Sequence, residues 1–271
     1  MPYWQVHFLN ARHALTGIMP EVRAAIAESV ARVSDHLNLP DFDVVVRAGD
    51  GGSDWGVIGA APAPGVVELT LSPARFAHEL TVRRMLRELH HVARWDGPGY
   101  GRSLGEVLVS EGLAGHFVTR VLGSPPDPWD ATTPPSGLAK RAMTEWAWRD
   151  LDRGLWFEGK GNIRKWAGYG LAHRLLAEHL SREPELEAAA LVHIPAEVLR
   201  PAMRRLSGAP EAEPEPGASP QEPSGEKPGE EFAPQPGAES QASAEEAPGT
   251  DALPQGKEAP AASGDEPPPQ A

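Results

Sequence analysis

Glu88, His91 and Glu111 stand at spacings that suit metal-assisted hydrolysis. In an H-E-x-x-H helix, two histidines four residues apart share one face and can hold one zinc ion. The glutamate after the first histidine sits beside the metal, where it can take a proton from bound water. A third ligand comes from elsewhere in the chain. Here Glu88 and His91 fill the second and fifth positions of the motif, within Arg87-Glu88-Leu89-His90-His91. Glu111 follows His91 by 20 residues, on the next predicted helix, and suits the third ligand. The first ligand position is Arg87. A guanidinium offers no lone pair and keeps its charge, so it cannot ligate and it repels a divalent cation.

Other histidines are poorly spaced to replace it. His90 is a possible ligand by type, but it lies about 100° round the helix from His91. His78 begins a half-motif of its own, with Val82 where its second histidine belongs. Along a continuous helix His78 is about 18 Å from His90, too far to share an ion, although a helix break between them would change that. His116 follows Glu111 by five residues and so points from a different face. The spacing leaves Arg87 as a built-in cation that pairs with Glu111 or Glu88.

The elements that must position these residues can be read from pattern. Trp4–Leu9 alternates like a strand. Pro20 opens a helix whose apolar face is Val22, Ala25, Ile26, Val30, Val33 and Leu37. Asp43–Ala48 reads as a strand, and WGVIGAA and Val66–Leu71 read as further strand around APAPG. From there the pattern is helical. Ser72-Pro73 suits a helix start, with one or two helices over about 75–95. The compact turn GPGYG leads to a helix over about Leu104–Val121. After the proline-rich loop SPPDPWDATTPPSG come helices over Leu138–Leu151, Lys165–Leu180 and Ile194–Leu206, with a turn at Trp156–Gly161. The small residues of SEGLAGHF and WAGYGLAHRLL suit close helix packing.

Composition narrows the function classes. The net charge is −13, but of 38 acidic residues 14 lie from Gly208 onward, and of 25 basic residues only 2 do. That leaves 24 acidic and 23 basic residues in 1–207, with no basic surplus to favour nucleic acid. Residues 208–271 hold 14 of the 29 prolines and read as a disordered acidic tail. The absence of cysteine excludes disulfides, thiolate zinc sites and a cysteine nucleophile. Neither a signal-peptide pattern nor an apolar run of about 18 residues is present, so a cytoplasmic location is expected. The glycines of GPGYG precede no phosphate-loop lysine, and Ser103 and Ser110 lack a strand–elbow–helix setting. The tryptophans read mainly as packing residues.

The segment ELHHVARWDGPGYGRSLGEVLVSEGLAGHF, with WFEGKG and KWAGYGLAHRLL, resembles a bacterial family of unknown function described as predicted zinc-dependent proteases. Members carry H-E-x-H-H, then E-G-L-A, then W-x-G-Y. The opening WQVHFLNARHALT is similar to starts found in that family, and the resemblance spans about residues 1–206. It implies a gluzincin-like metallopeptidase, with Glu88 as general base, His91 and Glu111 as zinc ligands, and Arg87 at a degenerate ligand position. In such an enzyme Tyr100 and Tyr169 could stabilise an oxyanion or line the cleft.

The resulting expectation is an α+β fold. A small N-terminal sheet with one helix leads into a mainly helical zincin-like body over 1–207, followed by the tail over 208–271. The function expected is that of a zinc metallopeptidase with a degenerate, pseudoenzyme-like metal site, zinc being its cofactor if it is active and no cofactor being needed otherwise. The rival is a non-catalytic protein that binds a peptide or protein in the old cleft, and a third reading is a structural or regulatory protein without a cleft function. Neither nucleic acid nor membrane is an expected partner.

Overall fold

The computed structural model describes residues 2–52 and 55–208. The tail expected over 208–271 lies outside the described residues, apart from Gly208. The fold is α+β, with four strands near the N-terminus followed by helices. Among the described residues, no helix is long and apolar enough to cross a membrane.

Strand β1 (Trp4–Leu9), helix α1 (Met19–Ser34) and strand β2 (Phe42–Ala48) form a parallel β-α-β unit. Strands β3 (Val57–Ala63) and β4 (Val66–Leu71) are an antiparallel hairpin, turning through Gly65 at φ 68°. That left-handed value suits a residue with no Cβ. The strand order is β1-β2-β4-β3, with β2 and β4 parallel, so β3 is a free edge. Alternating residues of β2 and β4, among them Val44, Val46, Val67 and Leu69, are fully buried against the helices. The apolar stripe of α1 (Val22, Ala25, Ile26, Val33) closes the same core.

Helix α2 (His78–Arg94) is continuous and packs between α1, α3 and the edge strand β3. The Ser72-Pro73 start instead makes a short 3-10 turn, Pro73–Arg75. Phe76 and Ala77 are extended there, which delays α2 until His78. Helix α3 (Leu104–Leu122) opens with a capping box. Ser103 Oγ accepts from the Glu106 amide, and Glu106 accepts from the Ser103 amide, pairing two otherwise orphan donors. Helix α4 (Leu138–Glu145) stops six residues short of the expected Leu151. The turn expected at Trp156 is one π-helical turn over Gly154–Glu158. Helix α5 (Ala167–Leu180) begins after Trp166, whose φ of 69° cannot continue a helix. A 3-10 turn, Ala196–Leu199, leads into α6 (Arg200–Leu206), the last helix among the described residues.

Helices α3 and α5 cross closely because their contact faces are nearly bare. A Cβ on Gly112 would stand 2.4 Å from the Ala172 carbonyl oxygen. The crossing brings Glu111 of α3 and Tyr169 of α5 to the wall of the same cavity.

Candidate functional site

The cavity has a volume of about 470 Å³ and opens between β3, α2, the α2–α3 turn and α5. Arg87, Glu88 and His91 reach it from α2, Glu111 from α3, Tyr100 from the turn and Tyr169 from α5. These are the residues singled out by spacing and resemblance, and the fold brings them around one space. His90 does not line it. Its ring packs 5.2 Å from that of Phe117, fully buried, and neither ring nitrogen has a hydrogen-bond partner among the described residues. Burial, then the neighbouring His91 and Arg94, pushes its pKa well below the ordinary value, so the ring is neutral. His78 pairs with Glu28 of α1 at 2.8 Å. His116 stacks on His173 at 3.9 Å and hydrogen-bonds to the His173 carbonyl. Neither histidine is among the cavity's lining residues.

Arg87 is 2% exposed, and its surroundings explain how a buried cation is tolerated. Its Nη2 donates to both Asp130 carboxylate oxygens, at 2.6 and 2.5 Å. Its Nη1 stands 3.3 Å from Glu111 Oε2. The Trp129 and Tyr169 rings each lie 5.7 Å from the guanidinium. Burial opposes the charge, but Asp130, Glu111 and Asp127 outweigh it and hold the pKa above the ordinary arginine value. Glu88 does not share this pair. It binds Arg84 one turn away at 3.0 Å, and Arg84 Nη2 also donates to the Gly59 carbonyl at 2.9 Å.

Asp130, the partner of Arg87 through both carboxylate oxygens, is the residue of this arrangement that sequence pattern does not point to. It stands in the proline-rich loop, in a turn where the Ala131 amide donates to the Asp127 carbonyl. Two glycines make room for that loop. A Cβ on Gly115 would meet Asp130 Oδ2 at 2.8 Å, and one on Gly170 would lie 1.7 Å from the Thr132 carbonyl oxygen. A signal was present in the charges: Arg83 and Arg87 are one helical turn apart, and Asp127 and Asp130 pair with them in the same order.

Glu111 is held from several sides. The Tyr100 hydroxyl donates to its Oε1, and Arg153 stands 3.5 Å from the same oxygen. His91 Nε2 lies 3.8 Å from Oε2. Burial alone would raise the carboxyl pKa, but His91, Arg87 and Arg153 hold it well below the usual range. Burial and Glu111 push the Tyr100 hydroxyl far up, so it stays a donor. The same two causes raise Tyr169 to about 12. Burial pushes Asp130 to about 7, with Asp127 and Glu111 adding to it and Arg87 pulling against it. Two carboxylates share one guanidinium, and Asp130 is the one that takes up a proton more readily.

The turn that supplies Tyr100 is fixed by buried polar groups. Ser110 Oγ donates to the Tyr100 carbonyl at 2.7 Å and accepts from Arg94 Nε at 2.8 Å. Gly99 and Gly101, at φ 74° and 99°, let the backbone reverse between the helices.

A zinc ion does not fit this arrangement. Among the described residues, no three His, Asp or Glu side chains form a group that could hold a metal ion. The guanidinium of Arg87 already bonds Glu111, one member of the expected ligand set, and brings a fixed positive charge.

The family model described as "Predicted Zn-dependent protease (DUF2268)" matches residues 22–200, and the chain belongs to that family. No curated protein and no solved structure matches the chain.

Proposed function

We propose that this chain is a member of its predicted protease family in which a guanidinium has replaced the metal, leaving a cleft that binds a peptide or protein without hydrolysing it. The observation that carries this reading is the buried Arg87, bonded through both Asp130 oxygens and paired with Glu111. Both terminal nitrogens of the buried guanidinium have carboxylate partners, which is what a buried charge needs to be tolerated, while Nε is left without a partner among the described residues. Arg87 supplies the positive charge that Glu111 would otherwise take from a metal, so the cleft keeps its form without one. His91 and Glu111 stay 3.8 Å apart on the cavity wall with Glu88 beside them, which supports descent from a metal-binding arrangement. The rival, an active zinc peptidase, has the family's description in its favour.

The test is a pair of proteins, wild type and Arg87→His, each titrated with zinc. The wild type is expected to show no thermal shift and to leave unstructured peptides intact. Arg87→His is expected to gain stability as zinc is added, because only the native state binds. Zinc-dependent peptide cleavage by the wild type would overturn the proposal. A failure of Arg87→His to bind zinc would show that His91 and Glu111 do not occupy ligand positions.

A further inference from the structure

The free edge of β3 faces the cleft, and its outward hydrogen-bonding groups are partly consumed. The Ser72 amide donates to the Gly56 carbonyl at 2.8 Å, which makes that pair a hydrogen-bonded one. By alternation Ile58 and Ala60 also face β4, while Val57 and Gly59 turn their N–H and C=O groups outward. The Gly59 carbonyl accepts from Arg84 Nη2 at 2.9 Å. The Ala61 carbonyl, beyond the register shift, accepts from Trp95 Nε1 at 3.0 Å. A peptide adding to this edge as a strand needs those acceptors for its own N–H groups. Side chains of the cleft hold them already, which also protects the edge from adventitious pairing.

The charges of the cleft point to what replaces backbone pairing. Its lining carries four arginines, at 84, 87, 102 and 153, against two glutamates, at 88 and 111. Arg87 and Arg84 are engaged as described. Arg102 is exposed and forms no ion pair among the described residues. Arg153 has a side chain 43% exposed; its Nη1 donates to the Tyr100 hydroxyl at 2.6 Å and its Nη2 stands 3.5 Å from Glu111 Oε1, a longer contact that leaves the exposed side of the guanidinium open to the cleft. Its guanidinium carbon lies 5.1 Å from the centre of the Phe157 ring and 5.4 Å from that of Tyr100, so two aromatic rings hold it in place. A guanidinium held in that way and still part exposed suits a carboxylate.

We propose that the cleft recognises an acidic peptide, gripped through a carboxylate by Arg153 and Arg102, with its backbone left unpaired to β3. This rests on the reading of the cleft as a non-hydrolytic binding site. The carboxylate is either a chain terminus or a Glu or Asp side chain.

Fluorescence anisotropy on the full chain tests it, with labelled short peptides rich in Glu, their Gln and Lys counterparts, and each with a free or amidated C-terminus. The Glu peptide is expected to bind at least tenfold more tightly than the Lys peptide, and more weakly as salt rises. Arg102→Ala and Arg153→Lys are each expected to lose about tenfold in affinity, about 1.4 kcal/mol. Both should keep the wild-type melting temperature to within a few degrees, and Arg47→Ala, on the sheet, should bind as wild type does. Loss on amidation assigns the terminal carboxylate, and loss on Gln substitution assigns the side chain. Equal affinity for the Glu, Gln and Lys peptides whether the C-terminus is free or amidated, no binding of any of them, or unchanged affinity in both arginine variants overturns the inference. Zinc-dependent cleavage of the bound peptide would instead overturn the non-hydrolytic reading beneath it, whichever peptide bound best.

Discussion

Replacing Arg87 with methionine removes the buried cation while keeping much of its volume. Glu111 retains Tyr100 and Arg153 and stays ionised. Asp130 loses its partner for both oxygens, at a site where its side chain is 1% exposed. Stranding one member of a buried pair costs about 3–5 kcal/mol. For a domain of this size each kcal/mol lowers Tm by roughly 2–4 °C, so a fall of about 6–20 °C is expected. The loss depends on pH, and the sign follows from linkage. Asp130 already has a folded pKa raised to about 7, and removing Arg87 takes away the one charge that lowered it. An acid whose pKa is raised on folding contributes stability that is full below its unfolded value, about 4, and lost as pH rises through the folded value. The variant escapes part of the cost by protonating Asp130, so its loss is smaller at about pH 5.5 than at about pH 8. Urea denaturation at the two pH values, followed by circular dichroism, measures both terms. Adding Asp130→Leu should recover most of the loss, because apolar replacement of a whole buried pair is close to neutral. A loss under about 1 kcal/mol at pH 8, or an equal loss at both pH values, would refute the reasoning.

Two further substitutions probe the scaffold. His90→Leu should be neutral or stabilise the fold by about 1 kcal/mol, because it removes two buried ring nitrogens without partners; a loss above about 2 kcal/mol in urea would show that the imidazole has a partner. Gly170→Ala should cost about 3 kcal/mol or prevent folding, because its Cβ would lie 1.7 Å from the Thr132 carbonyl oxygen and displace the loop that carries Asp130. Wild-type stability in that variant would show that the loop can move aside freely.

The helix pair and its small-residue contacts were legible because both are written in periodicity and spacing. The Arg87 substitution was visible too, and so was the need for a carboxylate beside it. What could not be read was which carboxylate dominates. Asp130 stands in a loop whose conformation depends on Gly115 and Gly170, residues far from it in sequence. Arg153 was hidden for a similar reason, since it precedes a π-helical turn with no periodic signature. Expected helix limits failed where local geometry outweighed propensity, at the extended Phe76-Ala77 and at Trp166 with its positive φ. The caps on the β3 edge are tertiary contacts between α2, its terminal Trp95 and a strand, and no local pattern announces them.

Metal content decides whether Arg87 stands where a metal would. Full-length protein is saturated with zinc at neutral pH, passed through gel filtration and assayed by elemental analysis, with Arg87→His treated alongside. No stoichiometric zinc is expected on the wild type, and retained zinc on the variant. One tightly held zinc per wild-type chain would contradict that reading of Arg87.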